Sequence, residues 1–315
     1  MKKCQDSKNF WLNLAKPIYT LAPMAGVTDS AFRQICKGFG ADVVYSEMIS
    51  ATAIVYNSKK TLELMSFDKK ERPYVVQLFG SNPEHFAQAA KFVASKIKPN
   101  GLDINFGCPV KKVAKQGAGA ELMNDLKLSC EIVKAVLANT DLPVSIKCRS
   151  QVGKVSVLDF LKTIKDLPVA AIMIHGRTLA QGHSGAVDWQ IIKQARKYFK
   201  GVILANGGVK DKKSADDLLK ATGADGIGIG QGALGKPWIF QDVKSPQPPL
   251  LKGEKEIFKI ILRHAGLVNK LKGKQGIIEM RKHLCWYVSG LKNVSELREA
   301  LVRVININDI KKIML

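Results

Sequence analysis

The chain has 315 residues, 46% hydrophobic and 24% charged, which is enough for a large buried core and ordinary for a globular protein. Lys and Arg total 49 against 27 Asp and Glu, a formal net charge of +22. Such a field attracts phosphate backbones, although a generally lysine-rich composition explains the charge, taken alone, equally well. The six cysteines, Cys4, Cys36, Cys108, Cys130, Cys148 and Cys285, form no C-x-x-C pair, which excludes zinc-ribbon and thioredoxin spacing and fits reduced thiols in the cytosol. Asn13, Lys16 and Pro17 interrupt the apolar stretch near the start, so no signal peptide is expected. Without an 18-residue apolar run, no membrane span is expected either, and the location expected is cytoplasmic.

Taken in chain order, short β-branched or apolar runs read as strands ending near Met24, Ser46, Phe79, Asn105, Lys147, His175, Asn206 and Gly230. Helical periodicity fills residues 83–97, 125–137, 155–167, 187–199 and 211–221, and more weakly 54–67. Eight strands alternating with helices predict an α/β fold, a (β/α)8 TIM barrel. A proline-rich linker, Ser245-Pro246-Gln247-Pro248-Pro249, follows. Beyond it only helical patterning remains, a small all-helical C-terminal domain. The division expected is a catalytic barrel over 1–244, a linker over 245–253 and a helical unit over 254–315. Residues 246–315 hold 14 Lys and Arg against 6 Asp and Glu, a net +8. That is about twice the charge density of the rest, so the basic character is concentrated in the tail.

In a barrel of this kind, chemistry sits at the C-terminal ends of the strands. Polar or glycine-rich groups stand at all eight predicted ends. Asn206-Gly207-Gly208 and Gly230-Gln231-Gly232 let backbone N–H groups approach an anion, and phosphate sites after the seventh and eighth strands recur in this fold. Gly230 to Gly235 spells G-x-G-x-x-G, but on the last strand, so a dinucleotide fingerprint fails on position. Pro237 stands where a P-loop needs Ser or Thr. Lys147 ends a buried-strand pattern, where its ammonium stabilises negative charge on a reduced cofactor ring. Gln77 and His175 follow apolar runs toward the same mouth. Cys108, in Asn105-Phe106-Gly107-Cys108-Pro109, is presented by a tight turn, and a protonated thiol donates a proton. Cys36, Cys130 and Cys285 lie in helical patterns and read as inert packing. Lys111, Lys112 and Lys115 follow Cys108 closely, as substrate-phosphate contacts or as a solvated face.

From about Pro17 to Gly290 the chain resembles the bacterial tRNA-dihydrouridine synthases, most nearly their B-type branch. The resemblance is carried by Ala22-Pro23-Met24-Ala25-Gly26-Val27-Thr28-Asp29, Gln77-Leu78-Phe79-Gly80 and Asp103-Ile104-Asn105-Phe106-Gly107-Cys108-Pro109 with Lys112. Lys147-Cys148-Arg149, His175-Gly176-Arg177-Thr178, Asn206-Gly207-Gly208 and Gly235-Lys236-Pro237-Trp238 continue it, and Met280-Arg281-Lys282-His283 looks like part of an RNA-binding helical domain. The resemblance implies FMN at the barrel mouth, held by Pro23, Met24, Ala25, Gln77, Lys147, His175, Asn206, Gly207, Gly208, Gly230 and Gln231, with NADPH as reductant. It implies tRNA as substrate, contacted by Asn105, Lys112, Arg149, Arg177, Arg281, Lys282 and His283, with Cys108 protonating C5 of the uridine. No metal is expected, and a monomer is.

Three positions depart from the family pattern. Gln231 stands where Arg is usual, removing a guanidinium fork for the FMN phosphate. His183 replaces a usual Tyr, and Glu121 a usual small residue. Two alternatives remain at this level: another FMN barrel acting on a small pyrimidine, and a tRNA-binding protein without catalysis.

Overall fold

The computed structural model describes residues 9–247 and 253–314. Eight parallel strands close into a barrel: β1 (Ile18–Leu21), β2 (Val43–Ser50), β3 (Tyr74–Phe79), β4 (Gly101–Phe106), β5 (Val144–Arg149), β6 (Ala171–His175), β7 (Val202–Asn206) and β8 (Gly226–Ile229). Each pairs with its neighbours in sequence, and β8 pairs with β1. The strands are buried on nearly every residue because one face fills the barrel and the other meets the surrounding helices. Phe10 and Trp11 precede β1. Trp11 packs with Ile18, Tyr45, Val75, Met173 and Leu204 and is fully buried. That packing fills the lower barrel and leaves the C-terminal ends of the strands as the open mouth.

The helices start on the side chains that such starts require. Asp29, Asn82, Asp125, Ser156, Asp188 and Asp211 each accept a hydrogen bond from a backbone N–H of the first turn that follows. The expected helices appear as Pro83–Phe92 with a wider π turn Val93–Ile97, Leu126–Ala138, Val157–Ile164, Trp189–Ala195 and Lys212–Thr222. Residues 54–67 resolve into two short helices, Ala51–Val55 and Lys59–Leu64. Val155 and Ser156 are not helical. They pair antiparallel with Gln151 and Val152 in a small hairpin, because Ser156 must stay extended to cap the helix behind it. The helix Ser30–Gly38 has no counterpart in the sequence reading.

Of the predicted linker, residues 248–252 lie outside the described residues, as does Cys4. The tail is helical: Glu254–Tyr287, Val294–Leu301 and Ile307–Met314. The first of these breaks at Gly273, whose φ of 59° and ψ of −146° suit glycine alone. The tail rests on helix Ser30–Gly38. Ala31, Ile35 and Trp238 of the barrel share one apolar cluster with Ile261, Ala265, Ile277, Met280, Leu284 and Tyr287. Lys272 adds an ion pair with Asp29 at 3.0 Å.

Candidate active site

A cavity of about 600 Å³ opens at the mouth, lined by residues at or just past the C-terminal end of every strand. Parallel register explains how it is built. Gln77 lies level with Asp103, Asn105 with Lys147, Arg149 with His175, and His175 with Asn206. Inward positions alternate along each strand, so two layers of side chains project into the barrel above the apolar plug.

The β4 end carries a chain of hydrogen bonds. Gln77 Nε2 donates to Asp103 Oδ2 at 2.7 Å, and Asn105 Nδ2 donates to Gln77 Oε1 at 2.8 Å. The backbone N–H groups of Gly107 and Cys108 donate to Asn105 Oδ1 at 3.0 and 2.9 Å. Cys108 is half-buried at the cavity edge. Burial pushes its thiol up, while a Val110 backbone N–H and the charges of Lys147 and Arg149 pull the other way. The net rise keeps the thiol protonated at neutral pH.

Lys147 opens onto the cavity from β5. Desolvation first, and then repulsion from Arg149, bring its ammonium down to about 8. It remains mostly charged at pH 7. His175 is lowered to about 2, by burial and then by Lys147, Arg149, Arg177 and His183, so it serves as a neutral hydrogen-bonding ring. Arg149 is 2% exposed. Its Nε donates to Gly107 O, and its Nη1 to Thr178 O and Gly182 O, tying the loops after β4, β5 and β6 together. Arg177 Nε donates to Gly185 O at 2.9 Å.

The far wall is backbone. Gly207 and Gly208 have φ of +118° and +77°, and a Cβ on Gly207 would fall 2.9 Å from the His175 ring. A Cβ on Gly232 would fall 2.1 Å from Val209 O, so the loops after β7 and β8 touch. Asn206 Nδ2 donates to Gly228 O at 2.7 Å and fixes one strand end against the other. Lys210 reaches the cavity beside this junction.

A family model described as dihydrouridine synthase (Dus) matches residues 20–313. The chain belongs to the dihydrouridine synthase family. Among its relatives, a probable tRNA-dihydrouridine synthase of Aquifex aeolicus is 34% identical over 305 residues, covering 96% of each chain. One from Mycobacterium tuberculosis is 35% identical over 314 residues, 93% of this chain and 80% of that one. tRNA-dihydrouridine synthase B of Pseudomonas syringae is 34% identical over 292 residues, 90% of this chain and 86% of that one. Of solved structures, a Rhizobium histamine dehydrogenase (TM-score 0.52, 11% identity, 79% of this chain and 48% of that one) and a Pseudomonas geniculata amine oxidase (0.54, 12%, 72% and 46%) share the fold. This chain spans about half the length of those two.

The structure gathers most of the predicted positions in one place. Pro23, Met24, Ala25, Gln77, Asn105, Cys108, Lys147, Arg149, His175, Arg177, Asn206, Gly207, Gly208, Gly230 and Gln231 all line the cavity. Lys112 does not; it is exposed on the short helix Lys111–Ala114 just past the Cys108 turn. Lys282 is exposed and reaches over the β1 loop, its Nζ 3.4 Å from where a Gly26 Cβ would lie. Arg281 Nε donates to Val304 O at 2.9 Å within the tail. His283 requires a correction. It is 4% exposed, packed 4.7 Å from the Phe32 ring and 5.0 Å from those of His264 and Trp286. Burial holds it well below the usual imidazole value, so it is a neutral residue of the barrel–tail junction rather than a surface contact for phosphate.

Sequence reasoning missed several wall residues, Met48, Lys210, His183 and Trp286 among them. Trp286 lines the cavity from the tail helix, and its carbonyl packs where a Gly235 Cβ would lie at 2.2 Å. His183 was noted only as a departure from the family pattern, yet it faces the cavity 5.8 Å from the His175 ring. Asp103 was noted only as part of a motif. A carboxylate between the apolar neighbours Leu102 and Ile104 was the available signal.

Proposed function

We propose that this chain reduces the C5–C6 double bond of uridines in tRNA to 5,6-dihydrouridine, using FMN and NADPH. The observation that carries the reading is the convergence of a half-buried protonated thiol, a half-buried ammonium and a glycine-lined anion cradle on one cavity. A volume near 600 Å³ suits a ligand of cofactor size. The donor set fits a flavin mononucleotide. Gly207, Gly208, Gly230 and the backbone at Gln231 offer space and N–H groups for a phosphate, with Lys210 as the cation beside them. Gln77 and Lys147 offer hydrogen-bonding groups for a ring, and the neutral His175 offers a third. Bound flavin supplies a hydride to C6 of the pyrimidine.

The chain's own residues account for the rest. Adding hydride at C6 leaves a carbanion-like C5 conjugated to the C4 carbonyl, and it must receive a proton. Cys108 Sγ–H supplies that proton, and Arg149 beside it holds the loops in place. Asn105 keeps the Cys108 turn fixed and retains part of its amide for a uracil carbonyl. Lys147 stabilises negative charge at the cavity floor. The uridine must leave its stack to reach this depth, at a cost of a few kcal/mol. Lys112, Lys282 and the basic tail offset that cost by contacting phosphates. A monomer in the cytoplasm is the state we assign.

The test is reduction of unmodified tRNA by purified protein with FMN and NADPH, read by mass spectrometry of nucleosides. Dihydrouridine is the expected product. Its absence, with flavin bound and reducible, would overturn the reading.

A further inference from the structure

Asp103 is fully buried inside the barrel and takes part in no step above. Register sets it level with Gln77 on β3 and Ser145 on β5. Ser145 Oγ donates to its Oδ1 at 2.6 Å, and Gln77 Nε2 to its Oδ2 at 2.7 Å. From Gln77 the chain runs through Asn105 to the backbone N–H groups of Gly107 and Cys108.

A side-chain amide has a donor end and an acceptor end, so each link in this chain has a direction. An ionised carboxylate only accepts. It takes the donor end of Gln77, which turns the Gln77 oxygen toward Asn105. That in turn points the Asn105 oxygen at the Cys108 turn. Reversing Asn105 would set its NH2 group against two backbone N–H donors, and reversing Gln77 would set its oxygen against the Asp103 carboxylate and its NH2 against that of Asn105, in a buried site where unmatched polar groups are costly. Burial raises the Asp103 carboxyl to about 6, opposed by the bonds from Ser145 and Gln77 and by the charge of Lys147. The carboxylate therefore still prevails above pH 7.

We infer that Asp103 is a positioning residue: acting through Gln77 and Asn105, its carboxylate sets the orientation of the turn that presents Cys108. Its consequence for uridine reduction rests on the proposed function, but its effect on the turn does not.

Two variants separate the possibilities. Asp103→Leu removes the acceptor. Asp103→Asn keeps one, because its oxygen takes the Gln77 donor and its NH2 faces Ser145 Oγ, whose hydroxyl turns to Leu102 O at 3.3 Å. Amide hydrogen exchange across residues 107 and 108 reads the turn without reference to activity. Protection there is expected to fall about fivefold or more in Asp103→Leu, and to stay near wild type in Asp103→Asn. Single-turnover uridine reduction is expected to drop about tenfold or more in Asp103→Leu, with KM for tRNA and flavin reduction by NADPH little changed, and to recover in Asp103→Asn. Unchanged protection in a folded Asp103→Leu protein overturns the inference, as does an Asp103→Asn protein as impaired as the leucine variant. If Asp103→Leu does not fold, Gln77→Leu cuts the same chain one link later, and undiminished protection at 107 and 108 there overturns it equally. A wild-type protein that makes no dihydrouridine would instead count against the proposed function and leave the exchange measurement to decide the inference.

Discussion

Replacing Cys108 by alanine separates the two halves of the proposed reaction. The turn survives the change, because Asn105 Oδ1 holds it through the backbone N–H groups of residues 107 and 108. The packing also survives: the Cys108 Cβ, against which a Cβ at Gly119 would press at 3.0 Å, is kept. Losing one half-buried sulfur costs about 1 kcal/mol of stability at most. Flavin reduction by NADPH should therefore run at a near-normal rate. Uridine reduction should fall by roughly 10²–10⁴, the usual contribution of a positioned acid, which is about 3–5.5 kcal/mol on the barrier. Stopped-flow absorbance follows the flavin half-reaction, and quenched single turnovers with tRNA follow the other. In the wild type, the thiol's raised value puts its own loss of activity above the ordinary thiol range. A limb near pH 8 reports Lys147 instead. Wild-type dihydrouridine formation by Cys108→Ala would refute the assignment of the acid, and loss of flavin reduction would move Cys108 to the cofactor's binding set.

Other expectations concern the cofactor, the tail and the junction between them. Lys210→Ala should weaken FMN binding by about tenfold while leaving riboflavin unaffected, since a phosphate contact is what it removes; Gln231→Arg should tighten FMN alone. Equal effects on both ligands in titration calorimetry would place these residues away from the phosphate. Lys282→Gln should lower the slope of log tRNA affinity against log salt by about one contact's worth, and an unaltered slope would detach it from the RNA. Stability should decline below pH 6.5, because His264 is neutral and buried, lowered to about 4, and the unfolded chain binds the proton that the folded one refuses. The contribution is fully present above pH 6.5 and shrinks by up to about 3 kcal/mol as pH falls toward 4. Thermal unfolding should show the decline, and His264→Gln, which still reaches toward the Tyr287 hydroxyl now 3.1 Å from the ring nitrogen, should make it shallower, the buried neutral His283 and His175 supplying the remainder.

The barrel was legible because its determinants are local. Each strand is a short apolar run closed by polar or glycine residues, and helical periodicity fills most of the stretches between them, so period and punctuation place the eight strands in order. The site was legible for the same reason. Parallel strands in a closed barrel bring all their C-terminal ends to one mouth, so Gln77, Cys108, Lys147, His175 and Asn206 needed only their positions at strand ends to be grouped. What the sequence could not carry was direction and partnership across the fold. Met280-Arg281-Lys282-His283 reads as part of an RNA-binding helical domain with Arg281, Lys282 and His283 alike as contacts, yet helical rotation sends Lys282 over the β1 loop and buries His283 against Phe32. Trp286, one turn beyond Lys282, becomes a wall of a cavity built 50 to 260 residues earlier in the chain. Asp103 acquires its part only from in-register neighbours on β3 and β5. The residue types and their order thus determined the fold and the chemistry on offer. The packing of the tail on helix Ser30–Gly38 and the polarity of the chain from Asp103 to Cys108 were decided by tertiary structure, because both depend on contacts between segments whose spacing in sequence carries no periodic signal.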